Sequence, residues 1–459
     1  MVRAYQQAVP LHTYADIAPD VMRLRRGARD ILWPGGVRHF AVSSGTVSDG
    51  KIIPVTRQML RLTRQFSLRV GWQYVRRSAR VHILAGKHLT LPGRVEPDPV
   101  GGPGTWIGEV SGLVAQQAPW WLRKGYQAIP DDVLALPDWE EKMTRIASIV
   151  AEQDIRLIAM VPSWALVLFR ILLDQRPGVQ SIHEIWPHLQ VFISGGVALA
   201  SYRPLLEQLI GVDSVDFIET YGASEGFFSY QDDPGDPVML LPLHSDIFYE
   251  FIPVEAGRTE HPERYTIAHV EPGVRYALCV TTCSGLWSYQ VGDIIRFTRV
   301  TPPRIEVVGR TAEMLVRYGE ALFLDEAQKA LAHASKRLGV SVDEFHITVL
   351  PPTTECVPAH EWLIESDTLS PAGCDTFGAY LDAYLQRINR HYRIRRASRA
   401  LEKPVVRVLP QGTFYRWLYR EKGEIKSQTK IPRMSEERNV ADGVLACAAI
   451  NKTDRAYEV

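Results

Sequence analysis

The chain reads as an α/β protein. A large N-terminal part with mixed sheets and a β-rich region is followed by a small α+β C-terminal domain. Three observations carry this. Through the first two-thirds, short β-rich runs alternate with helical patterns, the signature of strands crossed over by helices. Strand-like runs then dominate from IFYEFIPV through YALCVTT to DIIRFTRV. After VVGRTAEMLVRYGE the texture becomes helix, strand, helix, which sets a boundary near 310–320 and divides the chain into 1–309, a connection at 310–324, and 325–459.

Taken in order, the first segment of interest is SSGTVSDGK, Ser43 to Lys51, between the apolar runs FAV and IIPVT. Ser, Gly and Asp also build ordinary turns. Here hydroxyls at Ser43, Ser44 and Thr46, with Gly50 and Lys51 closing the segment, form a set that cradles an anion: glycines admit backbone N–H groups, hydroxyls donate, and the lysine adds charge. No GxxxxGK[ST] is present, so the segment is not a Walker loop. Further on, Ile146, Ile149 and Val150 mark a helical face, and the apolar window Leu157–Leu173 is read as a buried helix lining a core or an apolar pocket. Pro162 and Arg170 interrupt it, which argues against a membrane span. VFISGG, Val191 to Gly196, reads as a buried strand entering a glycine turn, and VDFIETYGASEG repeats that form. Ligands of open α/β sheets bind at the carboxyl ends of strands, where both turns fall.

In the C-terminal part, Ala327, Ala330, Leu331, Ala334 and Leu338 mark one helix, HITVL a strand, and Phe377, Leu381, Tyr384, Ile388 and Tyr392 one face of a second helix. That helix is expected to end in the basic run RINRHYRIRRASR, read as a solvated helix end.

Composition narrows the classes. The 459 residues suffice for two or three domains. Lys+Arg and Asp+Glu both number 52, so no overall field draws the protein to nucleic acid or an anionic membrane. Five scattered cysteines without a CxxC argue against a disulfide framework and a zinc site, and fit a reducing cytoplasm. Cys279 and Cys283 lie in a β-branched strand pattern and are read as packing residues. No HExxH appears, and no obligate protein partner is evident.

Three more segments carry chemistry. YGASEG, Tyr221 to Gly226, offers an aromatic face for a base, the Ser224 hydroxyl, and Glu225 as an oxygen ligand for a hard cation. YQVGDIIRF places Asp293 after a glycine, where a carboxylate accepts from ribose hydroxyls. GEIKSQTKIPR carries Lys426 and Lys430 in a polar loop.

Together and in this order, these segments resemble the adenylate-forming enzymes. More narrowly, the chain is similar to the Gretchen Hagen family of acyl acid amido synthetases. The resemblance covers nearly the whole chain and rests on VPLHTYADIAP, FAVSSGTVSDGKIIPVT, VPSWALVLF, WPHLQVFISGGVALASYRPLLEQLIG, YGASEG, YQVGDIIRF and QTKIPR. It implies a large adenylating domain, a small mobile C-terminal domain, and use of ATP with Mg²⁺ held by Glu225. A small carboxylic acid would be adenylated and passed to an amino acid amine. Ser43, Ser44, Thr46, Lys51 and Lys430 would face the phosphates, Lys430 as a catalytic residue, while Tyr221, Ser224 and Asp293 orient the nucleoside. Arg310 falls at the family's interdomain hinge with a nucleotide-contacting arginine, and Gly195, Gly196 and Val197 fall beside adenine and the acyl group; a surface ion pair and a plain turn are the alternatives. The helix of VPSWALVLF is expected to line the acyl pocket through Trp164 and Val167, with Trp120 and Trp121 as further candidates and core packing as the alternative for each. A thioester-forming ligase using coenzyme A, or a nucleotide-binding regulator without turnover, would share the same pocket. Departures from the family pattern are Val47, Thr429 and a shorter lead before the hydroxyl-rich loop, from which a missing or truncated N-terminal helix is expected.

Overall fold

The computed structural model describes residues 1–42, 51–196, 199–254, 262–311, 313–315, 317–318, 320, 322–352, 357–422 and 431–454. Strands β1 to β14 are, in chain order, His39–Val42, Ile52–Val55, Lys87–Thr90, Val95–Pro97, Trp106–Gly108, Ile155–Ala159, Val191–Gly195, Asp216–Ala223, Gly226–Tyr230, Met239–Leu240, Phe248–Pro253, Arg275–Thr282, Leu286–Val300 and Pro303–Arg310. A four-stranded sheet has the order β2-β1-β5-β4. A ten-stranded sheet has the order β11-β12-β13-β14-β10-β9-β8-β7-β6-β3. Its β3-β6-β7-β8 half is parallel and its other half antiparallel. One sheet therefore serves both the crossover region and the β-rich region.

The parallel half is covered by helices. Trp139–Val150 buries Met143, Ile146, Ala147 and Val150, the face its apolar spacing marks out. The apolar window Leu157–Leu173 is not one helix: it divides into β6 and the helix Pro162–Asp174, with Pro162 in the first turn. A proline there lacks only an N–H that would be unpaired anyway. The second glycine turn also departs from the expected form. β8 turns back at Ser224–Glu225 and continues antiparallel as β9, with Ala223 opposite Gly226. Among the described residues, no helix is long and apolar enough to cross a membrane.

Beyond β14, Met314–Leu315 (β15) pairs with Leu322–Phe323 (β16), and the strands Glu344–Leu350 (β17), Ala359–Glu365 (β18) and Val405–Leu409 (β19) form a three-stranded sheet. Alternation sends Phe345, Ile347, Val349, Trp362 and Ile364 into one core with the helices Leu324–Leu338 and Cys374–Ile388. Leu363 enters another with Phe414, Trp417, Val440 and Val444. The basic run forms its own helix, Arg390–Ala397, because Asn389 caps it by accepting the Tyr392 N–H at 2.8 Å. Tyr392 thus belongs to this helix and not to the preceding one, and Arg396 is paired with Asp382 at 2.8 Å.

Two sets of contacts join this small part to the large one. Arg275 lies 2.9 Å from Glu326, and both Arg275 and Arg296 approach Asp325, at 3.5 and 3.6 Å. These cations sit at the first turn of the helix Leu324–Leu338, whose acidic residues suit its positive end. On the other side, the Arg433 N–H donates to Glu313 at 3.3 Å, and the Arg433 charge is felt by Tyr202.

Segment 432–435 is stitched to β17. The Ile347 N–H donates to the Arg433 carbonyl at 2.8 Å, the Ser435 N–H to the Ile347 carbonyl at 3.0 Å, and Nδ1–H of the fully buried His346 to the Pro432 carbonyl at 2.7 Å. Burial lowers the His346 pKa to about 4. An unfolded histidine protonates near pH 6.5, so between these values the unfolded chain binds the extra proton and stability falls as pH falls, by up to about 1.4 kcal/mol per pH unit for one proton. We expect Tm to decline more steeply from pH 6.5 to pH 4.5 in the wild type than in His346→Asn, whose amide N–H replaces the bond to Pro432. Equal slopes would remove His346 from the acid response.

Candidate active site

The site is assembled where β8, β9, β13 and β14 meet. Asp293 follows Gly292, whose φ of +95° favours glycine and turns the chain inward. Asp293 stands opposite Arg310 in the β13–β14 register. Its Oδ1 accepts from Arg310 Nε at 3.0 Å and its Oδ2 from the Tyr221 hydroxyl at 2.7 Å. β8 and β13 are four places apart in the sheet, roughly 19 Å if it were flat at about 4.8 Å per strand. A 2.7 Å bond between their side chains therefore means that the sheet curls over on itself, around a core of Tyr221, Phe228, Tyr249, Tyr276 and Tyr289.

Electrostatics in the curl are those of a small charge cluster. Tyr221 is held neutral: burial and then the Asp293 charge push its pKa well up. Glu225, only 4% exposed in the β8–β9 turn, is also pushed up by burial; the Lys51 charge partly opposes this and the Asp293 charge adds to it. Lys51 places its ammonium 5.9 Å from the Tyr289 ring centroid. The Tyr289 hydroxyl is buried without a hydrogen bond of good geometry and lies against Glu225. Burial first and the carboxylate second push that phenol up. Two acids, Glu225 and Asp293, and two cations, Lys51 and Arg310, thus share one corner.

Gly195 lies opposite Thr220, next to Tyr221. A Cβ at Gly195 would meet Thr220 Oγ1 at 2.8 Å, and that hydroxyl already donates to the Ser194 carbonyl at 2.8 Å. Gly196 has φ +83°, and a Cβ there would lie 3.7 Å from the side chain of Val161, the N-cap of the helix Pro162–Asp174. The far end of the turn is anchored where the Leu199 N–H donates to Glu219 at 3.0 Å. Ser224 is half-buried beside Glu225. Ser43, Ser44, Thr46, Val197, Lys426 and Lys430 lie outside the described residues. Trp164 is placed in the hydrophobic core, 4% exposed and 5.4 Å from the Trp139 ring, whereas Val167 is 39% exposed. Trp120 and Trp121 are both on the surface.

Tyr289, Glu219 and Thr220 were not singled out by the sequence, although Tyr289 opens the segment that contains Asp293. Asp293 lies near enough to Glu225 for its charge to raise the Glu225 pKa, and the two carboxylates together supply oxygen acceptors suited to hydroxyls and a hard cation. Magnesium fits the donor set: it favours oxygen and takes one or two carboxylates with phosphate oxygens and water completing its shell. Among the described residues no group of three His, Cys, Asp or Glu side chains could hold a metal alone.

Comparison with known proteins agrees with this layout. Three family models match in order: the GH3 family N-terminal domain over residues 1–179, the central domain over 240–310 and the C-terminal domain over 325–439. The indole-3-acetic acid-amido synthetase GH3.3 of Arabidopsis thaliana is 28% identical over 267 residues, covering 55% of this chain and 44% of the relative. The match thus spans less than half the length of that curated relative. Among solved structures, a GH3.15 acyl acid amido synthetase superposes with a TM-score of 0.74 at 19% identity, over 95% of this chain and 86% of the other. A 2-hydroxyisobutyryl-CoA ligase in its postadenylation state gives 0.56 at 13% identity, over 98% and 82%. At these identities the likeness shows the fold: a large N-terminal and a small C-terminal part.

Substitutions at two positions probe the cluster without any ligand. A carboxyl whose folded pKa is raised contributes its full stability below the unfolded value and loses it as pH rises through the folded one. Glu225→Gln should therefore raise Tm at pH 7 by about 1–2 °C, with the difference closing toward pH 4; a lower Tm at pH 7 would contradict the burial argument. Asp293→Ala should instead destabilise by roughly 1–3 kcal/mol, since it strands the buried Tyr221 hydroxyl, while Asp293→Asn keeps an acceptor and costs less. Equal denaturation midpoints for all three proteins would mean that the knot carries no stability.

Proposed function

The chain belongs to the GH3 family, and we propose that it is an ATP-dependent acyl acid amido synthetase. It adenylates a small carboxylic acid and then joins the acyl group to an amino acid amine. The observation that supports this most is the knot of Tyr221, Asp293 and Arg310 beside Glu225 and Lys51. It gathers, around the inside of the curled sheet, an aromatic ring for adenine, acceptors for ribose hydroxyls, and charges for phosphates.

In the first step a carboxylate oxygen attacks the α-phosphorus, the bond to the β-phosphate bridging oxygen breaks, and pyrophosphate leaves. In the second, the amine nitrogen attacks the acyl carbonyl carbon, AMP departs with the bonding pair, and the amine proton passes to solvent. Asp293 and Tyr221 orient the nucleoside, the Gly195–Gly196 turn receives the flat base and the acyl group, with Val197 continuing it, and Arg310 and Lys51 oppose negative charge. Ser43, Ser44 and Thr46 donate to phosphate oxygens, and Ser224 hydrogen-bonds nearby. Magnesium held by Glu225 would neutralise phosphate charge. Catalysis of this kind rests on positioning and charge stabilisation.

We assign 1–309 to adenylation, 310–324 to a hinge and 325–459 to a mobile domain that brings Lys430 over the α-phosphate. Support comes from the anchoring of Pro432–Ser435 to β17, which ties the exit of the lysine segment to the small sheet. Trp164 and Val167 are kept as the acyl-pocket candidates of the helix Pro162–Asp174, with core packing as the alternative for the buried Trp164. The cytoplasm is the assigned compartment, in keeping with the four free cysteines among the described residues.

The test is carboxylate-dependent ATP–pyrophosphate exchange over a panel of small acids, followed by aminolysis of a synthetic acyl-adenylate. Lys430→Ala should lower exchange by about 10²- to 10³-fold, as expected for losing one preorganised charge-stabilising donor, and lower aminolysis much less. Product forming with an amino acid but not with coenzyme A supports the amido synthetase. Thioester formation, or no exchange with any acid, would overturn it.

A further inference from the structure

The opening segment VPLHTYAD, Val9–Asp16, enters neither the knot nor the phosphate cluster, yet it grips both sides of the site. The His12 N–H donates to the Ser288 carbonyl at 3.1 Å and the His12 carbonyl accepts from the Gln290 N–H at 2.8 Å, so the two bonds bracket Tyr289. The His12 ring adds a 2.7 Å bond from Nδ1 to the Trp287 carbonyl. At the next residue the helix α1 (Tyr14–Arg25) begins, its entry fixed where the Thr13 N–H donates to Asp16 at 2.7 Å. Tyr14, at the first helical position, accepts the Ile52 N–H on its hydroxyl oxygen at 3.0 Å.

Ile52 stands opposite Val42 in the β1–β2 register, directly after Lys51. Because β2 is the edge of its sheet, an N–H pointing outward there has no neighbouring strand to receive it. The Tyr14 hydroxyl receives it instead. One short segment therefore holds the residue next to Lys51 at one end and the residues flanking Tyr289 at the other, and Lys51 sits over the Tyr289 ring at 5.9 Å.

We propose that Val9–Asp16 is a positioning strap of the adenylation site and that Tyr14 is the positioning residue that sets Lys51 over Tyr289. The proposal rests on the reading of Lys51 as a phosphate-facing cation. The Ile52 N–H is only part-buried at the sheet edge, where water can replace a lost partner at modest cost, so the Tyr14 bond adds little stability. It fixes direction. A lysine on a four-carbon stem takes its starting direction from its backbone, and misplacing a reacting group by about 1 Å costs rate steeply.

Tyr14→Phe is the diagnostic change, since it keeps the ring that packs against the core and deletes only the hydroxyl. Amide hydrogen exchange at Ile52 should accelerate in the free protein, with Tm within about 1 °C of wild type. In ATP–pyrophosphate exchange, kcat should fall about tenfold while KM for the acid stays within about twofold. The loss should vanish in a Lys51→Met background, because both changes act through one side chain. Unchanged kcat, additive losses in the double variant, or a lower Tm with kcat and KM moving together would each overturn the strap. If the wild type exchanges with no acid, the functional reading fails on its own, and the hydrogen-exchange arm still decides: unaltered Ile52 protection rejects the role of Tyr14.

Discussion

Everything at the site depends on one acceptor. Asp293 takes a proton donor from β8 on one oxygen and from β14 on the other, and through them it holds a ten-stranded sheet in a closed curl. The Tyr221 bond pins strands four places apart in the sheet, and the apolar core of Tyr221, Phe228, Tyr249, Tyr276 and Tyr289 fills the curl between them. Glycine at 292, the β13 register shift between Ile294 and Ile295, and the one in the β8–β9 pair beside Tyr221 serve the same end, since irregular pairing raises local twist and re-aims side chains. Fold and binding chemistry meet in a single residue whose second lone pairs remain to serve a ligand.

The small part is joined to this curl by ion pairs and by one small apolar cluster, in which Ile294 and Val308 of the large sheet pack with Met314 and Phe323. Arg275 and Arg296 hold the acidic first turn of the helix Leu324–Leu338, and the Arg275 guanidinium stacks 4.1 Å from the Phe323 ring centroid. Polar junctions of this sort re-form after separation with little loss, unlike interdigitated cores, which repack only in discrete ways. The cores on either side are separate, with Leu322 and Leu331 in one and Tyr289 and Phe297 in another.

Much of this was legible in the sequence, because the informative residues came as local groups. Gly292–Asp293, Tyr221 with Glu225, and the strand ending at Gly195–Gly196 each combine a backbone requirement with a chemical one, so a few adjacent letters carry the signal. The window Leu157–Leu173 misled because periodicity cannot separate a buried strand from a buried helix; Pro162, which suits a first helical turn, was the mark of the break. Trp164 stays ambiguous for a related reason: an apolar helix shows which residues are buried but not whether they face a core or a ligand. Tyr14 was invisible as a functional residue, since its hydroxyl meets a backbone N–H 38 residues away and no side-chain pattern encodes that partner. The two-part organisation was readable from the change of texture after Arg310, whereas the curl was not, because it depends on strands placed side by side only in the finished sheet.

The bond from the His12 ring to the Trp287 carbonyl joins residues 275 positions apart. A ribosome would have to deliver the first residues of β13, through Gln290, before the backbone groups of His12 found their partners, and Lys51, Glu225 and Asp293 would converge only after that. Loop closure over such a span is slow because its entropy must be met before the contacts reward it. Nascent chains of this protein would therefore carry the segments of Lys51 and Glu225 for many seconds before the knot could close, and the corner would be completed by the last strands of the large sheet to arrive.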